Sequence, residues 1–249
     1  MNEIGINVGY RILKYYLWQQ FFFRIQVKRE KIKPSYQKLT KTLKEFEEEK
    51  PTLQRKHLSD CTFTIFDLET TGFFPEVGDE IISIGAVKIH NGKTYSKDTF
   101  YQVINPLQTV SRRTKKFTGL RRKDFVKGAT LPIGLERFLE YCKGTILVAH
   151  PASFDINFLQ KRVNKWELPS FDPEYVDSFS LANELLDRDD CYLDDLVQRF
   201  NIEYRNRHHA LNDAIMTAEI FEKLLKLCYK QEIHTIRGLH EKINEESFG

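Results

Sequence analysis

Thr62-Phe63-Thr64-Ile65-Phe66 is a run of β-branched and aromatic residues that continues into Asp67-Leu68-Glu69-Thr70-Thr71-Gly72. Side chains two apart on a strand share a face, so Asp67 and Glu69 point together while Phe66 and Leu68 turn the other way into packing. Further strands are predicted near 80–90 and 95–104, with turns at Glu76-Val77-Gly78-Asp79 and at Asn91-Gly92, the second carrying the pair that tight hairpins favour. Together they describe an antiparallel meander. Strands near 145–149 and 174–177 then alternate with helical patterns, as parallel crossover units do. One helix carries Ile156, Phe158, Leu159 and Val163 on its apolar stripe, and a longer one Ile215, Ala218, Ile220, Phe221, Leu224 and Leu225. The pattern predicts an α/β domain over 59–230, a helical extension over 1–58 and a helical tail over 231–249.

The extension is aromatic and basic. Tyr10 to Val27 contains Leu13, Tyr15, Tyr16, Leu17, Trp18, Phe21, Phe22, Phe23 and Ile25, interrupted by Arg11, Lys14, Gln19, Gln20 and Arg24. Those interruptions leave no span of about 20 apolar residues that could cross a membrane. Pro34-Ser35 marks a break and an N-cap, a second helix runs through Lys50, and Pro51 is expected to end it. Three roles remain open: packing on the following domain, which is preferred, docking a partner, or lying on an anionic membrane surface, which is least favoured.

Charge changes the picture. The net charge of the 249 residues is +3, but residues 1–58 carry 13 Lys/Arg against 6 Asp/Glu, leaving the remainder at −4. Within that acidic remainder, Arg112, Arg113, Lys115, Lys116, Arg121, Arg122, Lys123 and Lys127 are opposed only by Asp124. Cys61, Cys142, Cys191 and Cys228 have no paired spacing of the kind zinc or redox motifs use. With no recognisable secretory signal, this favours a reducing, cytoplasmic setting.

Candidate chemistry begins with Asp67 and Glu69. Two neighbouring carboxylates repel unless a cation lies between them or one keeps its proton, and hard oxygen ligands suit Mg²⁺ or Mn²⁺. A solvated acidic face on an edge strand is the plain alternative. Asp155, in Ala149-His150-Pro151-Ala152-Ser153-Phe154-Asp155, falls near the start of a helix, and Asp213, in His208-His209-Ala210-Leu211-Asn212-Asp213, opens the long one. Each alone reads as a cap or a helix-dipole partner. Asp177, ahead of Ser178-Phe179-Ser180-Leu181, reads as an N-cap outside the site.

Taken in order, Asp67-x-Glu69-Thr70-Thr71-Gly72, His150-x-x-x-Phe154-Asp155 and His208-x4-Asp213 resemble the His-containing (DEDDh) branch of the DEDD exonuclease superfamily, which includes the proofreading (epsilon) subunit of bacterial DNA polymerase III, ribonuclease T and oligoribonuclease. The similarity runs from about Cys61 to Tyr229 and takes in Gly85-Ala86-Val87-Lys88-Ile89, Val103-Ile104-Asn105-Pro106 and Val176-Asp177-Ser178. Two departures stand out: Pro151 where many relatives have Asn, and Phe117-Thr118-Gly119-Leu120 where many have His ahead of the Gly.

The resemblance implies a ribonuclease H-like fold, with a five-stranded mixed sheet flanked by helices. It implies a 3′→5′ exonuclease that releases nucleoside monophosphates, acting on single-stranded ends, with DNA favoured over RNA. Asp67, Glu69, Asp155 and Asp213 would hold two Mg²⁺ or Mn²⁺ ions, and His208 would take the proton from the attacking water. His209 competes: four residues before Asp213, it would share that face on a continuous helix, whereas His208 would do so only from a loop. Arg205-Asn206-Arg207 is loop-like and the family spacing selects His208. Thr70, Thr71 and Phe154 would meet the terminal nucleotide, with Phe73 and Phe74 either stacking on a base or folding back on the core. Arg121 and Arg122 belong to the basic segment that in the family lies beside the substrate groove, so phosphate contact is expected of them. An RNA-trimming enzyme, a binding module that has lost catalysis, and a polymerase-associated subunit docked through residues 1–58 are the alternatives.

Overall fold

Five strands form one sheet in the order β3-β2-β1-β4-β5. The computed structural model describes residues 15–188 and 190–244; Tyr10, Arg11, Leu13 and Lys14 of the expected aromatic helix, and 245–249 of the expected tail, lie outside the described residues. Strand β1 (Thr62–Thr70) is central and pairs antiparallel with β2 (Ile81–His90), which pairs antiparallel with β3 (Lys93–Val103). Asn91 and Gly92 both have positive φ, 50° and 68°, which is what a two-residue hairpin of matching twist requires. Strands β4 (Ile146–Ala149) and β5 (Tyr175–Asp177) run parallel to β1, joined by helical crossovers. The predicted meander and the parallel units are both present.

The helices are α1 (Gln20–Lys31), α2 (Pro34–Gln54), α3 (Arg112–Thr118), α4 (Arg122–Lys127), α5 (Leu131–Cys142), α6 (Ala152–Lys165), α7 (Ser178–Leu186), α8 (Leu193–Arg199), α9 (Ala210–Lys230) and α10 (Ile236–Asn244). Alternation along β1 sorts them onto two faces. Phe66 and Leu68 pack with Phe138 of α5, Phe158 and Leu159 of α6, and Leu39 and Leu43 of α2. Phe63 and Ile65 pack on the other face with Phe221 and Leu224 of α9 and Leu181 of α7. Each such large side chain, fully buried, contributes about 1.5–3 kcal/mol. All four cysteines are buried and unpaired. Among the described residues no helix is long and apolar enough to cross a membrane.

Two local expectations need correction. Helix α2 passes through Pro51 and ends at Gln54. Proline removes one backbone donor near the end of the helix, and Leu53, 7% exposed, is drawn into the α9-side core beyond it. The 71–80 connection is also no tight turn at Glu76–Asp79. A 3₁₀ turn over Pro75–Val77 is followed by Gly78 at φ 98°, and the Asp79 carboxylate accepts from Thr71 Oγ1 (3.1 Å) and the Phe74 N–H (3.0 Å).

The N-terminal helices lie against the α5/α6 face. Tyr36 Oη donates to the Trp166 carbonyl at 2.7 Å. Phe23 of α1 meets Trp166 edge-on at 5.5 Å and lies under the buried Arg162 guanidinium. Tyr15, in the single π-helical turn that precedes α1, accepts from Lys165 Nζ at 2.7 Å. Tyr16, Leu17, Trp18, Phe21 and Phe22 remain exposed.

Candidate active site

Asp67 on β1 stands opposite Gly85 on β2, and Gly85 opposite Tyr101 on β3, forming one row across the sheet. Glu69 pairs with Ser83, so both acids of β1 face the same side, as alternation requires. The start of α9 lies directly on Gly85: a Cβ there would fall 2.2 Å from the Ala210 carbonyl carbon and the Leu211 nitrogen. Only glycine admits that approach, which brings Asp213, one turn into α9, down beside Asp67.

Asp155 arrives from the opposite layer. Strand β4 pairs with β1 only over Phe63–Ile65, so the edge of β1 beyond that point is open. There the Leu68 N–H donates to Asp155 Oδ1 at 3.2 Å, tying the first turn of α6 to the acid-bearing end of β1.

The two histidines part company. Helix α9 begins at Ala210, so His209 is its N-cap residue and His208 lies in the loop at φ 60°. His209 stacks on Tyr101, with centroids 4.6 Å apart and planes 18° from parallel. The imidazole of His208 instead has a nitrogen that, with one oxygen each of Glu69 and Asp213, forms a set lying within 4.8 Å of one another. Asp213 Oδ2 accepts from the His208 N–H (3.1 Å) and pairs with Arg207 Nη1 (2.7 Å), while Arg207 Nε donates to Asp194 of α8 (2.9 Å). A left-handed backbone is uncommon for a non-glycine residue, and these contacts hold it. Arg207 was legible in sequence only as a polar loop residue, since its partner Asp194 is far away in the chain.

Electrostatics mark the cluster as strained by its own charge. Burial, reinforced by Asp155, Asp213 and Glu69, pushes the Asp67 carboxyl well above the usual range, with Arg207 opposing. Glu69 is pushed up to about 7 by burial and Asp213, again against Arg207. Asp155 is raised well above its ordinary value, chiefly by burial and against the Leu68 hydrogen bond, and Asp213 is raised by burial against Arg207. Asp213 Oδ1 is buried without a hydrogen-bond partner. An orphaned carboxylate oxygen among acids that repel one another fits a hard divalent cation, which such oxygen donors suit.

The remaining predicted residues fall around this centre. Thr70 Oγ1 donates to the Gly72 carbonyl at 2.8 Å and Thr71 Oγ1 to Asp79, so both hydroxyls brace the turn after β1. Phe154 lies between Phe158 (5.8 Å) and Phe73 (5.9 Å), and Phe73 is 75% exposed. Arg121 and Arg122 are exposed at the start of α4, and the Arg121 guanidinium turns toward Asp124 (3.8 Å). Among the described residues neither pairs with a cluster carboxylate. Asp177 is the expected N-cap: its Oδ1 accepts from the Phe179 and Ser180 N–H groups and its Oδ2 from Ser153.

A family model of the ribonuclease T type, described as an exonuclease, matches residues 64–221. A PolC-type DNA polymerase III of Thermotoga petrophila is 35% identical over 176 residues, covering 69% of this chain and 12% of that protein. A DNA polymerase III epsilon-like protein of Rhodobacter capsulatus is 33% identical over 174 residues, 68% of this chain and 24% of that one. The chain thus spans less than a quarter of the length of these relatives. Among solved structures, the nuclease domain of 3′hExo, a DEDDh family member bound to rAMP, superposes with a TM-score of 0.61 at 22% identity, covering 68% of this chain and 93% of that domain. That likeness carries the ribonuclease H-like fold.

Proposed function

The chain belongs to the ribonuclease T-type exonuclease family; from that premise we propose that it is a 3′→5′ exonuclease of the DEDDh type that shortens single-stranded DNA ends, releasing nucleoside 5′-monophosphates. The family is metal-dependent. Asp67, Glu69 and Asp213 would hold one Mg²⁺ or Mn²⁺, and Asp67 with Asp155 would share in holding a second. Bound there, such a pair supplies an activated water, neutralises charge on the phosphoryl oxygens and steadies the departing 3′ oxygen. His208 takes the proton of the attacking water; the water oxygen bonds to phosphorus as the bond to the 3′ oxygen breaks, and that oxygen takes up a proton from solvent. Arg207 fixes the loop that presents His208. Thr70, Thr71 and Phe154, with Phe73, meet the terminal nucleotide, and Arg121 and Arg122 contact backbone phosphates.

The observation that carries this reading is the convergence of four acids and one imidazole, from three distant segments, around a buried carboxylate oxygen without a partner. DNA as substrate draws support from relatives named for DNA polymerase III. RNA is the second reading, favoured by the rAMP bound to the superposed nuclease domain. Residues 1–58 dock a polymerase in the cytoplasm through the exposed Trp18, Phe21 and Phe22, and co-purification of the full chain, but not of one lacking residues 1–58, tests that.

The deciding experiment offers 5′-labelled DNA and RNA strands in parallel, with Mg²⁺, Mn²⁺ or chelator. A ladder shortening from the 3′ end, faster on DNA, abolished by chelator and by Asp155→Ala, is expected. Internal cleavage, or a rate indifferent to chelator, contradicts the proposal.

A further inference from the structure

Phe117 is 52% exposed, yet its ring meets the His208 imidazole edge-on, with centroids 5.4 Å apart and planes at 81°. Among the described residues no other ring touches that imidazole. The Arg113 guanidinium lies 5.5 Å from the Phe117 ring centroid. Both residues sit on α3, a single short helix capped by Ser111 Oγ, which accepts from the Thr114 N–H at 3.0 Å. That helix also carries Arg112, Lys115 and Lys116, and among the described residues none of its four cations is in an ion pair. The basic residues of α3 therefore lie one aromatic ring away from the histidine assigned as base.

Exposed aromatics rarely need explanation, but this one has a geometric consequence. The loop of His208 is fixed at its backbone by Asp213 and through its neighbour Arg207, which leaves the ring free to turn about its side-chain bonds. An edge-to-face contact is directional and strong enough to favour one ring orientation several-fold. The Arg113 cation over the same ring steadies Phe117 further.

We propose that Phe117 is a positioning residue: it holds the His208 imidazole toward Glu69 and Asp213, and because α3 is basic, it couples the seating of that ring to engagement of the nucleic-acid backbone. The inference rests on His208 being the base of the proposed exonuclease. Phosphates drawn to Arg112, Arg113, Lys115 and Lys116 fix α3, α3 fixes Phe117, and Phe117 fixes the base. A strand held by its end alone, without that backbone contact, meets a less ordered base.

The test uses the full chain, with 5′-labelled single-stranded dT oligonucleotides and Mg²⁺, and compares wild type, Phe117→Ala, Phe117→Tyr and His208→Ala. Phe117→Ala should lower kcat about five- to tenfold with KM within about twofold, because misplacing a reacting group costs rate and not ground-state binding. Phe117→Tyr, which keeps the ring, should stay within about threefold of wild type. Histidine labelled with ¹³C gives a readout independent of turnover. The His208 ring signal, assigned by its loss in His208→Ala, should shift in Phe117→Ala but not in Phe117→Tyr. In chelator, a phosphorothioate dT5 should shift that signal in wild type and leave it unmoved in Phe117→Ala. An unchanged kcat or an unmoved signal in Phe117→Ala overturns the inference. If wild type fails to shorten the strand, the exonuclease assignment itself fails; if His208→Ala keeps its rate, His208 is not the base, and the two arms report these failures separately.

Discussion

His208 and His209 are adjacent in sequence but meet different neighbours, His208 the acids Glu69 and Asp213 and His209 the ring of Tyr101. His208→Ala should lose on the order of 10²–10⁴-fold in rate, as removal of a general base does, in the labelled-strand assay. His209→Ala removes a stack on Tyr101 and should cost less than tenfold while lowering stability by about 1 kcal/mol, read from urea unfolding. Gly85→Ala is the sharper probe of placement. Its methyl would strike the backbone of Ala210 and Leu211, so α9 must move away from Asp67, at about 1–3 kcal/mol in stability and with most of the activity. His150 tests electrostatics away from the acids. Burial holds its imidazole down to about 4, against the pull of Asp177, and Nδ1 meets Ser178 Oγ at 3.0 Å. Because the unfolded chain takes up this proton near pH 6.5 and the folded chain only near 4, the residue destabilises the fold as pH falls between those values. The gap in unfolding free energy between His150→Gln and wild type should therefore shift in the variant's favour by up to about 1.4 kcal/mol per pH unit from 6.5 downward. A gap that does not change with pH counts against the buried neutral imidazole.

Elements were legible where one local rule decided them. The two-residue period of β1 placed Asp67 and Glu69 on one face, and Asn91-Gly92 marked its hairpin because both residues had to adopt positive φ. Helix α2 outruns Pro51 because its end is decided by Leu53 reaching the core, a tertiary gain larger than the single donor lost at the proline. The 71–80 connection departs from a tight turn because the Asp79 side chain organises it from within. The roles of Arg207 and Phe117 were not legible in the sequence, since each acquires its role from a partner on another element. The basic pair at the start of α4 makes a prediction at this scale. Replacing Arg121 and Arg122 by Gln should raise KM and reduce the magnitude of the salt slope of log KM by about 1.4, with kcat nearly unchanged, because phosphate contacts to single strands release about 0.7 counterion each.

On the scale of the molecule, the sheet divides two helical layers, and the acids collect where both layers reach the same end of β1. Asp155 comes from the α6 side and Asp213 from the α9 side. The order of acidic and histidine segments in the chain made this convergence readable in advance; that Gly85 permits it was visible only in three dimensions. The N-terminal helices share the α5/α6 core through Leu39 and Leu43 while leaving Trp18, Phe21 and Phe22 exposed, so the extension both completes the fold and presents a surface. Crowding four acids costs stability in the absence of a cation, because charge that repels must be held together. The measurement that tests this most directly is thermal unfolding of wild type and Asp67→Asn at pH 7.5, in chelator and in Mn²⁺. In chelator the variant should be the more stable by about 1 kcal/mol, a gain of several degrees in Tm; Mn²⁺ should raise the wild-type Tm and leave the variant nearly unmoved. A variant less stable than wild type in chelator, or a wild type indifferent to Mn²⁺, would contradict a cation site built from these carboxylates.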